Sequence, residues 1–99
     1  MTINHAWIID KDHIDDGDSK GITGPRSAPE ALVQELRTNP DTGHKFRLYD
    51  DDDELYYEGR FLGDPYSEEA FAPLDDYGTP NAGATRIDYL ADNGKWVTL

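Results

Sequence analysis

Five consecutive acids, Asp50 to Glu54, form the densest cluster of potential cation ligands in this sequence. Hard cations such as calcium bind several carboxylate oxygens, and Asp50, Asp52 and Glu54 match positions one, three and five of a calcium-binding loop. The later positions do not match, because Leu55 stands where that loop needs glycine and Phe61 where it needs glutamate. We therefore expect no specific metal site and no cofactor.

Other catalytic chemistry lacks a matching pattern as well. His5, His13 and His44 are far apart in the chain and fit no zinc-binding spacing. The glycine-rich stretch 17–24 has no following lysine of a phosphate-binding loop, and no Gly-x-Ser-x-Gly motif occurs. Adjacent carboxylates arise by chance in a chain with 21 acids, so they do not indicate glycoside chemistry. We predict that the protein is not an enzyme.

The negative charge of the chain is concentrated in about a quarter of its length. The formal net charge is −12, and within residues 50–76 a single base, Arg60, stands among acids. These acids are Asp50, Asp51, Asp52, Asp53, Glu54, Glu58, Asp64, Glu68, Glu69, Asp75 and Asp76. Phosphate backbones and anionic membranes attract the opposite sign. We therefore expect these acids to contact the basic surface of a partner protein, with no direct binding to nucleic acid or membrane.

Three tyrosines, Tyr49, Tyr56 and Tyr66, lie among these acids. Tyrosine is common at recognition surfaces because it offers a large contact area and a hydroxyl group. The same side chains could instead cover a thin core, and the sequence leaves both roles open. We include them among the predicted partner contacts.

The remaining composition fits one small domain, residues 1–99. A chain of this length hides only about 60–65% of its surface on folding, which leaves little room for a deep enzyme pocket. The chain has no cysteine, and its N-terminal stretch has neither a basic start nor an apolar run typical of a signal peptide. These features predict a soluble cytoplasmic protein.

Hydrophobic periodicity predicts an α+β fold, an antiparallel sheet of about five strands with one helix packed on one face. Ala6–Asp10 is apolar on both faces and predicts an internal strand. Residues 11–26 are rich in Gly, Asp and Ser and predict a mobile loop. Ser27 is the predicted N-cap of the helix, with Glu30 completing a capping box, and Asn39-Pro40 ends it.

The first predicted hairpin runs through the acidic residues 50–53. Its predicted register pairs Leu48 with Leu55, Phe46 with Tyr57 and Lys45 with Glu58, so that apolar side chains share one face. The following segment, 62–83, contains several Gly and Pro residues and predicts irregular structure, held by the side chains of Phe71, Leu74 and Tyr77.

The second predicted hairpin has Asn93-Gly94 as a two-residue type I′ turn. This turn pairs Ala91 with Trp96 and Leu90 with Val97, so Trp96 shares a face with Ile87 and Tyr89. Because both faces of this hairpin are apolar, we expect it to be central in the sheet.

Five stretches of the chain point to a resemblance: WIIDKDHID, GITGPR, FRLYDDDDELYYEGRF, FAPLDDYGTPNAG and GKWVTL. At these stretches the chain resembles a group of small acidic proteins of actinobacteria, some of them on phages or plasmids. No activity is attached to that group. The resemblance therefore implies a bacterial, mobile-element setting and no catalytic residue.

Four functions fit these observations. The first is a non-enzymatic binding or adaptor module whose charge serves solubility and whose aromatic surface binds. The alternative is a nucleic-acid mimic whose acidic surface at 50–76 blocks a basic site on a DNA- or RNA-handling protein, since a duplex carries about one charge per 1.7 Å. Adaptation to high salt and a minor enzymatic activity are the other two. Acids clustered on one face favour mimicry, and acids spread over the surface favour solubility.

Overall fold

The computed structural model describes residues 4–14 and 20–99, which form an α+β fold. Its strands are β1 Ala6–Asp12, β2 Thr23–Gly24, β3 His44–Tyr49, β4 Leu55–Leu62, β5 Arg86–Leu90 and β6 Trp96–Thr98. They form a six-stranded antiparallel sheet in the order β2-β1-β4-β3-β5-β6. The predicted class is confirmed, with one strand more than the five expected.

The helix α1, Glu30–Thr38, covers one face of the sheet at the β1 end. Its buried Leu36 packs with Ala6 and Ile8. The Ser27 N-cap prediction is wrong, because a proline keeps the residue before it out of the helical conformation. Pro29, extended at ψ 131°, is the N-cap instead, and no side-chain cap is present. The helix ends before Asn39-Pro40 as predicted.

The opposite face holds the larger core, in which Phe46, Leu48 and Phe61 are fully buried. It is covered by a chain of short helical turns, a 3₁₀ turn at Glu68–Phe71, a π turn at Leu74–Gly78 and the helix α2 at Thr79–Ala82. Leu74 and Tyr77 hold this covering layer as predicted. Phe71 does not, since the 3₁₀ turn points Ala70 inward and leaves Phe71 36% exposed.

The predicted loop at 11–26 contributes to the sheet at both of its ends. Residues 11 and 12 continue β1, and β2 pairs with Trp7 and Ile8 of β1. Gly24 permits this pairing, because a Cβ there would lie 2.3 Å from the Trp7 ring. Residues 15–19 of the loop lie outside the described residues, and its mobility stays a prediction.

The first hairpin keeps its predicted faces but not its register. Leu48 pairs with Tyr57, and Phe46 with Gly59. The proposed pairs were therefore wrong by two residues, a shift that returns every side chain to the same face. The cause is the turn, where Asp53 adopts a left-handed conformation (φ 63°) and the register shifts after Leu48.

The second hairpin differs more from its prediction. Its turn has three residues, 92–94, instead of two, and of these only Gly94 has a left-handed backbone conformation. The Ala91 N–H bonds to the Lys95 carbonyl at 2.8 Å, so Leu90 pairs with Trp96 and Tyr89 with Val97. This one-residue slip moves Val97 onto the face of Tyr89 and Trp96 onto the other face. The predicted central position is also wrong, since β6 is an edge strand.

Candidate functional site

The acidic run forms the turn between β3 and β4, and Asp50 holds it together. Its carboxylate accepts hydrogen bonds from the backbone N–H groups of Asp52 (2.8 Å) and Glu54 (2.9 Å) and from the Tyr56 hydroxyl (2.9 Å). The bond from Glu54, with those from Tyr56 and Asp52, lowers the pKa of Asp50, while the bond to Asp50 raises the pKa of Tyr56. Asp50 is therefore a structural residue of the turn.

Two further acids of the turn bind β5 and the residue before it. Asp51 accepts a hydrogen bond from the Thr85 hydroxyl at 2.7 Å. Asp53 forms an ion pair with Arg86, whose guanidinium lies 4.2 Å from the centre of the Tyr49 ring. These contacts offset part of the repulsion within the run. Asp52 and Glu54 are exposed, and their carboxylates make no ion pair or hydrogen bond within the described residues.

The other predicted acids lie on different parts of the molecule. Glu58 is on the face that carries α1, between Arg47 (3.1 Å) and His13 (2.8 Å). Asp64 follows the far end of the eight-residue β4, about 25 Å from the turn. The remaining four, in the layer over the opposite face, are Glu68, Glu69, Asp75 and Asp76. The structure therefore does not bring the eleven acids onto one surface.

Two of these four acids have partners in the fold. The Trp7 indole N–H donates to Asp76 at 3.2 Å, and His5 lies 3.6 Å from Glu69. For Glu58, burial opposes ionisation, but hydrogen bonds from His13 and Arg47 outweigh that effect and lower its pKa. With Asp64, whose carboxylate accepts a backbone N–H, seven of the eleven predicted contact acids thus have a partner for their side chain within the fold.

The predicted tyrosines separate in the same way. Tyr49 and Tyr56 are half-buried: the Tyr49 ring lies against Arg86 of β5, and the Tyr56 hydroxyl donates to Asp50 of the turn. Tyr66 is 94% exposed. It sits in a turn fixed by Asp64, whose carboxylate accepts the Tyr66 N–H at 2.9 Å and whose carbonyl accepts the Ser67 hydroxyl. An ordered turn therefore presents an aromatic ring to solvent.

Tyr66 borders an open groove of about 430 Å³ beside β6. The helical turns of the covering layer stop short of this edge, so Val97 and Leu99 remain 52% and 42% exposed. The groove is lined by His44, Asp64, Pro65, Tyr66, Tyr89, Leu90, Ala91, Asp92, Val97 and Leu99. Sequence reasoning found Tyr66 but missed Val97 and Leu99, because the predicted turn placed them in a central hairpin.

The outer edge of β6 pairs with no strand in the described parts of the chain. Toward β5, the Lys95 carbonyl accepts from Ala91 and the Leu99 N–H donates to Ile87. Hydrogen bonding alternates along an antiparallel strand, so the backbone groups of Trp96 and Thr98 point outward. This edge and the apolar groove adjoin.

A second, more polar groove lies on the face that carries α1, beyond the end of the helix. Its volume is about 340 Å³, and it is lined by Asp10, Lys11, Pro40, Lys45, Phe46, Arg47, Glu58, Gly59, Arg60, Leu90 and Trp96. The Arg47 guanidinium lies 4.1 Å from the centre of the Trp96 ring. Desolvation lowers the pKa of Arg47, but hydrogen bonds to Tyr49 and Glu58 outweigh it and the pKa is raised.

Among residues 4–14 and 20–99, no three His, Asp or Glu side chains converge as metal ligands would. Within the same residues, no helix has the length and apolar character needed to cross a bilayer. No protein-family model, curated protein or solved structure matches the chain.

Proposed function

We propose that the protein is a non-enzymatic binding module that takes up an extended, basic segment of a partner protein at the β6 edge. The observation that carries the proposal is Tyr66, an aromatic ring 94% exposed on an ordered turn beside an apolar groove. Large exposed aromatic and aliphatic groups next to one another are typical of protein recognition surfaces.

The edge strand supports an extended occupant. An added strand would pair with the outward backbone groups of Trp96 and Thr98, and its alternate side chains would reach the groove. There Val97 and Leu99 offer apolar contacts, and Tyr66 borders the far side. Natural edge strands are protected by charge, proline, bulges or a very short length, and of these β6 has only the short length, three residues.

Charge complementarity supports a basic occupant. Asp64 and Asp92 line the groove, and the whole chain carries −12. A positive segment would be steered toward the protein by this field, while the apolar contacts would set its lifetime. The same field accounts for solubility, so the acids need not form a mimic of nucleic acid. Their spread over the molecule favours the binding module over mimicry.

Affinity capture from a bacterial lysate with matched variants tests this function. Tyr66→Ser removes the exposed ring. Thr98→Pro removes one outward N–H, and Thr98→Val is its control, because valine loses the Thr98–Asp88 hydrogen bond of 2.7 Å but keeps that N–H. We expect a basic protein that is retained by the wild-type and Thr98→Val chains and lost by the other two.

A variant of the acidic turn separates this function from mimicry. Asp52→Asn combined with Glu54→Gln removes the two acids of the turn that make no ion pair or side-chain hydrogen bond in the described residues. We expect this variant to retain the partner at about 0.1 M salt, where the Debye length is about 10 Å. Loss of the partner from the turn variant, with retention by Tyr66→Ser, would refute the proposal in favour of mimicry.

A further inference from the structure

We infer that the polar groove beside α1 binds a small organic anion, with a carboxylate or phosphate group held between Lys45 and Arg47 and an apolar part against Trp96. This site lies on the opposite face of the sheet from Val97 and Tyr66, and Trp96 adjoins both sites, since its side chain lines the groove and its backbone belongs to the β6 edge. Among the described residues, four cations line the groove against two carboxylates, in a chain whose net charge is −12: Lys11, Lys45, Arg47 and Arg60 against Asp10 and Glu58.

Two of the four cations are neutralised within the fold. Arg60 uses all its N–H groups. It donates to the Asp10 carboxylate from Nε (2.8 Å) and Nη2 (2.9 Å). Nη2 also donates to the Leu36 carbonyl, and Nη1 donates to the carbonyls of Asn39 and Thr42. Its role is to cap the end of α1. Arg47 donates its Nε to Glu58 at 3.1 Å and also hydrogen-bonds Tyr49, while its guanidinium lies against the Trp96 ring that lines the groove.

Lys45 lies between these two arginines and lacks a carboxylate of its own within the described residues. The register places it directly opposite Arg60 on β4, and Arg47 follows two residues later on the same face of β3. Like charges directly opposite on neighbouring strands are destabilising. Asp10 already offsets the charge of Arg60, so an anion placed against Lys45 would offset the charge that remains, and the nearest charges dominate because the Debye length is about 8 Å at physiological salt.

The shape of the groove defines the class of ligand. Its volume of about 340 Å³ lies at the lower end of the range for small-molecule sites, which begins near about 300 Å³. Trp96 and Leu90 are neighbours across β5 and β6, and Pro40 closes the helix side. These apolar groups suit an aromatic or aliphatic body, while Arg47 and Lys45 suit its oxyanion.

Titration by NMR, with the full chain labelled with nitrogen-15, tests this site. The probes are benzoate and phenyl phosphate, with neutral benzamide as control and sodium chloride holding the ionic strength constant. We expect saturable shifts of the Trp96 indole N–H and the Lys45 amide with at least one anionic probe. The Trp7 indole N–H, bonded to Asp76 on the opposite face, should not move. The two anions distinguish a carboxylate ligand from a phosphate ligand.

Matched variants make the test specific. Lys45→Gln should weaken binding of the anionic probe by about tenfold or more, as expected for loss of a charge-assisted hydrogen bond. Lys20→Gln, an exposed lysine outside the groove, should leave it unchanged. Absence of saturable shifts up to about 20 mM probe, equal shifts with benzamide, or unchanged binding by Lys45→Gln would each overturn the inference.

Discussion

Replacement of Arg60 by methionine tests the structural account where one side chain links three elements. Methionine keeps an unbranched apolar stem, so the main loss is that of the guanidinium. That group bonds Asp10 of β1, the Leu36 carbonyl in α1, and the Asn39 and Thr42 carbonyls that follow the helix. The pKa of Arg60 is raised, because its hydrogen bonds to Asp10 outweigh the opposing effect of desolvation.

The expected cost follows from how buried each freed group is. The Leu36 carbonyl lies at a buried hydrogen bond, and its loss costs about 1–3 kcal/mol. The Asn39 and Thr42 carbonyls and the Asp10 carboxylate, whose side chain is 36% exposed, can bond water, which adds about 1 kcal/mol in total. We expect Arg60→Met to lower the free energy of unfolding by about 3 kcal/mol, a large part of the 5–15 kcal/mol typical of a small domain.

Urea unfolding followed by tryptophan fluorescence measures this loss. With a slope of about 1.5 kcal/mol per M, the midpoint should fall by about 2 M. Arg37→Met is the control, because Arg37 is exposed in the last turn of α1 and should change stability by less than about 0.5 kcal/mol. A loss below about 1 kcal/mol in Arg60→Met, or an equal loss in Arg37→Met, would contradict the capping role.

Three further predictions concern the sheet and its first turn. The pKa of Glu58 is lowered in the folded protein, so as pH falls below 4.5 the unfolded chain takes up a proton before the folded chain does, and the free energy of unfolding falls. Glu58→Gln should therefore flatten the pH dependence of unfolding in that range. An unchanged slope would show that Glu58 is not responsible. Gly59→Ala should lower the free energy of unfolding by several kcal/mol or prevent folding, because the added Cβ would lie 2.0 Å from the Ile8 carbonyl oxygen. A cooperative thermal transition near that of the wild type would refute this prediction. Asp53→Ala should be about 1 kcal/mol less stable than Asp53→Gly by urea unfolding, because both variants lose the ion pair with Arg86 but only alanine is strained at φ 63°. Equal stabilities of the two variants would rule out the left-handed conformation at this position.

The sequence was sufficient to predict the strands, and which side chains share a face, wherever apolar and polar residues alternate over a long stretch. In the first hairpin, Phe46 and Leu48 were placed on the buried face correctly, because a shift of two residues does not change the face. The register itself depended on the conformation of Asp53, a residue that adopts the left-handed region less often than glycine.

The second hairpin shows why the candidate site was only partly predictable. Asn93-Gly94 is compatible with a two-residue and a three-residue turn, and the choice decides whether Val97 faces Tyr89 or lies on the other side. Tyr66 could be singled out from its acidic surroundings. The groove beside it depended on where the covering layer stops, which is a matter of contacts distant in sequence.

Arg60 and Lys45 could not be assigned roles from sequence for the same reason. The partners of Arg60 are 18 to 50 residues away. From the predicted register, Lys45 was opposite Glu58, which would have neutralised it. The observed pairing with Arg60 leaves Lys45 on the polar groove without a carboxylate directly opposite it. A small change in a turn thus decides which charges remain available for a ligand.

Photo-crosslinking from position 66 tests the central claim most directly. Benzoylphenylalanine replaces Tyr66 in one chain and Asp52, in the acidic turn, in a matched chain, and adducts formed in bacterial cells are mapped by mass spectrometry. Binding of a partner at the β6 edge predicts an adduct from position 66 with a basic, extended segment of one partner protein, and little or none from position 52. Adducts with a nucleic-acid-handling protein from position 52 and none from position 66 would contradict it.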